Sequence, residues 1–502
     1  MDLSEIVRRS LATLGRRPGE LLSWYVFGAA VPVVARAIVV IGVGVSYLFL
    51  ALSGRLETLE RAIAAGELGP PPTDESEEAI QAWFEATLPH LEGLFSPFVG
   101  APIAASLFVA VSVFVPLYFA TAAARIAACD ARLDGDGGIA PGLDGARRYW
   151  TSFLALFVLE ALVWIGFAFV ALFGLLLAGF FGPIGAIFAF GTFAGLFVAL
   201  AFVRLLFAFA PIAVVADDAS AADGLRSAFG FLRTDPAVAF VYAALAALLL
   251  SGLGVFGVGL SLLGAGSVVA LLGLFVVSPF LDLLKTGVYK NASDGLQPPV
   301  PASGGLGERF GSGLRRGLRE MTGFVRETPG LHAVAAISLL AGFASGYTIV
   351  APLDGTVTTS VAARTDELVF GVAAIDFFAN NWSVALSLAF SGFAFGAPAL
   401  VSLWFNGLVF GAVGRLEIAP LELVAFVVPH GLFEIPAILI AGAVGIRLGI
   451  VAWRAAGGRT DRSTVIEEIR RGFWVLVGVG VLLAIAGLIE GVFSPYYYDL
   501  LF

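Results

Sequence analysis

Apolar runs of twenty or more residues, separated by short polar stretches, recur from Leu21 to Glu490. Each is long enough to cross about 30 Å of hydrocarbon as a helix. The runs are continuous, unlike the weakly alternating segments of a membrane barrel. The pattern predicts an all-α, polytopic integral membrane protein with about eleven crossings. The first covers Leu21 to Ser53, over-long and expected to kink at Pro32, and the second Pro97 to Ala128. Two hairpins follow, Ser152 to Val215 turning near Gly182-Pro183-Ile184-Gly185, and Ala237 to Tyr289 turning between Gly259 and Gly266. Five more crossings are expected near His332–Val350, Phe378–Gly396, Ala399–Gly414, Leu423–Trp453 and Phe473–Glu490.

The polar stretches divide this series. Residues 1–290 form a six-helix N-terminal membrane domain whose first loop, 54–95, is acidic and includes Asp74-Glu75-Ser76-Glu77-Glu78. That loop reads as a solvated cap with a helix or two, with cation binding or partner docking as the other reading. Residues 291–329 are a polar linker with an interfacial helix, and 330–502 a five-helix domain. Three segments share an arginine ten residues before a proline that opens an apolar run: Arg8 and Pro18, Arg226 and Pro236, Arg319 and Pro329. The physical reading is a short interfacial helix whose proline begins the descending helix. Common ancestry of the three segments stays open.

Charge then orients the chain. Twenty-two of the 29 lysines and arginines fall in loops that share a side with Met1, and four in the opposite loops. This bias predicts a cytoplasmic N-terminus and an extracellular C-terminus in a multi-pass protein of the cell membrane. Residues 1–20 lack a long apolar run and a small-residue cleavage site, so no removable signal peptide is expected. The chain is 59% hydrophobic and 13% charged, with a mean hydropathy of +0.94, which excludes an ordinary soluble domain. One cysteine, Cys129, excludes a disulfide framework or a thiolate cluster. A net charge of −9 with only Lys285 and Lys290 as lysines suggests an archaeal, salt-loving proteome. The scattered arginines form no nucleic-acid footprint.

Polar residues inside the apolar runs carry the candidate chemistry, because hydrocarbon solvates none of them. Asn380 and Asn381 stand at the expected start of a helix, Asn406-Gly407 lies in the next, and Pro429-His430-Gly431 precedes Glu434 by one turn. His430 and Glu434 share a face if the helix is continuous, while Pro429 and Gly431 invite a local break. The five side chains are expected to form one interhelical cluster. A hydrogen-bonded tie between helices, a proton- or substrate-handling site and a metal site are the readings. The metal reading has one deep histidine and no His-Glu-x-x-His pairing, so no metal or cofactor is expected. Gly392 and Gly396, and Gly407 and Gly411, form small-xxx-small faces for close helix packing, with dimerisation as the sharper reading. In the first domain Arg36, Glu160 and Arg204 lie within crossings, where mutual pairing or snorkelling is expected and a polar cavity for a headgroup or ion is the alternative.

The order of Asn380-Asn381, Asn406-Gly407 and Pro429-His430-Gly431 with Glu434 resembles the stage II sporulation protein M family of integral membrane proteins. The resemblance spans about Thr328 to the C-terminus. The N-terminal domain is only loosely similar to six-helix membrane domains of glycerophosphodiesterase-associated and archaeal proteins. The resemblance implies a five-helix domain acting as a scaffold that recruits envelope-remodelling partners, so other membrane proteins are expected beside the lipid bilayer, and a homo-oligomer stays open.

No nucleophile–base set, P-loop or dinucleotide fingerprint is present, so no enzyme is expected. The leading expectation is a non-enzymatic scaffold for membrane or envelope remodelling. The alternative is a transporter or lipid-moving protein with a polar intramembrane site around His430 and Glu434. A scaffold would bury that pair in a dry, satisfied cluster, and a transporter would expose it to a cavity.

Overall fold

The computed structural model describes residues 2–65, 81, 83–85, 87–88, 96–293, 296, 304–355, 357–361 and 371–494. Asp74 to Glu78 and Arg364 lie outside the described residues. The described chain is helical, with one isolated bridge between Thr359 and Glu417. The helices are α1 (Leu3–Gly15), α2 (Pro18–Leu52), α3 (Arg55–Ala64), α4 (Pro97–Asp134), α5 (Ile139–Ala216), α6 (Ala221–Thr234) and α7 (Pro236–Leu262). They continue with α8 (Ser267–Ser293), α9 (Leu306–Glu327), α10 (Pro329–Ile349), α11 (Val372–Ser391), α12 (Ala397–Leu416), α13 (Pro420–Ala456) and α14 (Arg462–Phe493). Ten are long and apolar enough to cross a membrane.

One of these ten, α5, has 78 residues and is two crossings. Gly182 breaks it with φ +54° and ψ −134°, a conformation that a Cβ would strain. The two arms fold back on each other, so that Gly174 lies against Thr192 and Glu160 pairs with Arg204 at 2.7 Å. The crossings therefore number eleven among the described residues. α2 is continuous through Pro32, and α13 through Pro429 and Pro436. The expected break at Pro429 is absent because the surrounding turns stay helical.

Each arginine–proline echo folds in one way. The amphipathic helices α1, α6 and α9 end two or three residues before Pro18, Pro236 and Pro329, which open α2, α7 and α10 at their first turn. Proline fits there because its missing N–H is one that a helix start leaves unbonded anyway. Asp2, Ser220 and Asp461 cap α1, α6 and α14 through their side-chain oxygens.

The two halves of the chain share one apolar core. Phe27 of α2 packs edge-on against Phe390 at 4.7 Å and Phe393 at 5.3 Å. Phe275 of α8 lies 5.2 Å from Trp382 of α11, and Asp376 accepts the Ser267 backbone N–H at 2.8 Å. Polar contacts cluster at one end of the bundle: Glu20 with Arg470 at 2.9 Å, Asp144 with Arg462 at 2.7 Å and Glu327 with Arg471 at 2.6 Å. All six residues belong to segments that the charge count assigns to a single side. Away from the shared core, the arms of α5 present Phe180, Phe190 and Phe197 outward, as lipid-facing helices do.

Candidate polar sites within the membrane

The polar side chains singled out in the sequence fall into two sites. The first forms where α2 of the N-terminal half meets α11 and α12. A cavity of about 280 Å³ is lined there by Arg36, Asn380, Ser383, Ser387, Ser402 and Asn406, with apolar walls from Pro32, Val40 and Phe405. Asn380 lies near the middle of α11, and Asn406 near the middle of α12. Both helices have 20 residues, about one bilayer crossing. The cavity is therefore at membrane mid-depth. Arg36, Asn380 and Phe405 are exposed, so it opens sideways toward lipid.

Within it, the amide of Asn380 donates to Asn381 Oδ1 at 3.1 Å, and that of Asn406 to the Ser402 carbonyl at 2.8 Å. Among the described residues no hydrogen bond or ion pair reaches Arg36. Its guanidinium thus offers five unused N–H donors and a full positive charge to the cavity. The expected mutual pairing holds for Glu160 and Arg204 only. The sequence also places Asn380 at a helix start, and the structure moves it to mid-helix, because α11 begins at Val372.

The second site lies on α13 and α14. His430 is 6% exposed. Ligand atoms of His430, Glu434 and Glu490 all lie within 4.8 Å of one another. Nδ1 of His430 is buried without a hydrogen bond of ordinary geometry, although the Phe426 carbonyl one turn back is near, and the Phe426 ring meets the imidazole edge-on at 5.4 Å. Among the described residues no hydrogen bond or ion pair reaches Glu434 or Glu490. Glu490 sits on a π-helical turn, Ile489–Phe493, that closes α14. The expected single cluster is thus divided, with Asn380 and Asn406 beside Arg36 and His430 with Glu434 beside Glu490. The sequence reading missed Glu490, which ends an apolar run and looks like a helix terminus meeting water.

The glycines pack the helices that carry these sites. Gly407 and Gly411 of α12 face the Leu339 and Phe343 carbonyls of α10, and Gly342 and Gly346 face Trp404 and Leu408 in return. A Cβ on any of the four would come within about 2 Å of backbone oxygen. Gly392 and Gly396 lie in the turn after α11 instead of on a helical face, and they meet Gly445 and Gly449 of α13. Pro429 and Gly431 lie inside continuous α13, and the space a Gly431 Cβ would enter is ordinary.

No curated protein and no solved structure is significantly similar to this chain. Residues 335–495, which contain Asn380, Asn406 and the His430–Glu434–Glu490 group, match the family described as Stage II sporulation protein M.

Proposed function

We propose that this is a non-enzymatic, multi-pass protein of the cell membrane that binds the anionic headgroup of a lipid or other amphiphile in the Arg36 cavity and moves it across the mid-plane. One observation carries this reading: an arginine that no other described residue pairs with faces a polar cavity at mid-depth, where an uncompensated charge is expensive. A phosphate or carboxylate supplies the counter-charge and accepts paired N–H bonds from the guanidinium. The hydroxyls of Ser383, Ser387 and Ser402 and the amides of Asn380 and Asn406 line the remaining wall. The sideways opening admits a headgroup whose chains stay in lipid. The charge bias favours a cytoplasmic Met1 and an outward C-terminus.

The test is reconstitution of the full chain into vesicles bearing a fluorescent anionic lipid, with loss of the outer-leaflet signal followed in time. Wild type is expected to accelerate exchange between leaflets, and Arg36→Gln to slow it at least about tenfold, the size of a lost charge-assisted contact. Exchange no faster than in protein-free vesicles, or unchanged in Arg36→Gln, overturns the reading.

A membrane-organising scaffold is the second reading. It is favoured by the family match over 335–495 and by the continuous core joining both halves. It calls for partner proteins that co-purify with the intact chain and for no lipid movement.

A further inference from the structure

We propose that His430, Glu434 and Glu490 bind one divalent transition-metal ion of the zinc–manganese class inside the membrane, joining α13 to α14. This site is separate from the Arg36 cavity, and the argument does not depend on lipid movement.

Three features converge on it. The first is geometric: one imidazole nitrogen and two carboxylate oxygens fall within 4.8 Å of one another. Ligands about 2.0–2.2 Å from a zinc-class ion lie about 3–4 Å apart, so small rotamer changes close the set. The second is the state of the groups. His430 is 6% exposed, with only the nearby Phe426 carbonyl beside its Nδ1 and no hydrogen bond of ordinary geometry there, and among the described residues neither half-buried carboxylate has a hydrogen-bond partner. Buried polar groups are normally satisfied, and two neighbouring carboxylates repel each other in a medium of low dielectric. A dication cancels both negative charges and gives each carboxylate, and one nitrogen of the ring, a partner. The third is local backbone form. Glu490 is presented by a single π-helical turn, a departure from the α-helix that is frequent at functional sites. Gly491 beside it lies so close to the start of α11 that a Cβ would fall 2.3 Å from the Ala374 nitrogen, which fixes this turn in place.

The donor set decides the class of ion. Imidazole nitrogen with carboxylate oxygen suits zinc, manganese or iron(II) better than calcium or magnesium, which take oxygen alone. Three protein ligands leave at least one position for water or another ligand.

The experiment uses the full chain, purified in detergent without a histidine tag. It is stripped with chelator, incubated with zinc or manganese chloride alone, desalted and assayed by mass spectrometry of the elements. Wild type is expected to retain about one ion per chain, and Glu490→Gln and Glu434→Gln to fall to the level of a metal-free buffer. Arg36→Gln is expected to retain the ion. Cobalt(II) in the wild type is expected to give a visible absorption band that Glu490→Gln lacks. Wild type without an ion above buffer level overturns the proposal. So does a Glu490→Gln protein of unchanged helicity that binds as well as wild type. The wild-type result decides even where a variant fails to fold.

Discussion

The carboxylate of Glu20 accepts a hydrogen bond of 2.9 Å from Arg470, 450 residues further along the chain. Its other oxygen accepts the backbone N–H groups of Gly138 and Ile139 at 3.1 and 3.3 Å, which begin α5. One buried acid thus ties α2, α5 and α14 together across the two halves. Glu20→Gln keeps the shape and removes the charge, leaving Arg470, among the described residues, with only the exposed Glu467. Breaking a fully buried pair costs about 3–5 kcal/mol. Here Arg470 is about a third exposed, so a loss of about 2 kcal/mol is expected, read as an earlier thermal unfolding midpoint in detergent.

Close packing of α10 on α12 has a steric test. Gly407→Ala places a methyl 1.9 Å from the Leu339 carbonyl oxygen, so the helices must separate, at a cost of about 1–3 kcal/mol. Gly191 has open space around it, and Gly191→Ala is expected to leave the midpoint unchanged. Equal effects of the two substitutions would contradict the packing described.

On the proposed function, Arg36 is expected to couple stability and lipid movement in opposite directions. Because no partner among the described residues is lost, Arg36→Leu removes an expensive charge at mid-depth, worth about 2.5–3.5 kcal/mol on insertion scales. The variant is expected to be more resistant to unfolding in lipid than wild type while losing lipid movement. A destabilised Arg36→Leu would mean that the guanidinium serves the fold.

The loop after α10 carries an acid-sensitive tie. Arg415 Nε lies 3.0 Å from both oxygens of Asp354, and this contact holds the carboxyl below its ordinary value of 3.8. A depressed value means that the tie is complete above the ordinary carboxylate range and is lost as pH falls through the lowered one. Asp354 is exposed, so the effect is small. Asp354→Asn is expected to lower stability slightly at neutral pH and to abolish the shallow acid-side step, so that the variant and wild type converge at low pH.

Much of this architecture is legible in local pattern. Apolar run length marks the crossings, and Pro18, Pro236 and Pro329 mark three helix starts because a first-turn proline lacks only a bond that would be unmade anyway. The start of α11 was hidden because Asp376, Asn380 and Asn381 lower its hydropathy to 1.2, the smallest of the ten long helices. Those polar groups have tertiary uses: Asp376 receives the Ser267 N–H, and Asn380 lines the cavity. The partition of the polar residues into two sites was not legible at all. Arg36 meets Asn380 and Asn406, and Glu490 meets His430, only through helix packing, and no local spacing encodes that.

The central claim is that Arg36 holds an anionic headgroup at mid-depth, and native mass spectrometry of the detergent-released protein tests it most directly. After incubation with equal amounts of one anionic and one zwitterionic lipid, wild type is predicted to retain one anionic lipid preferentially, and Arg36→Gln to lose that preference while Gly191→Ala keeps it. Equal retention of both lipids by wild type, or an undiminished preference in Arg36→Gln, would contradict the account.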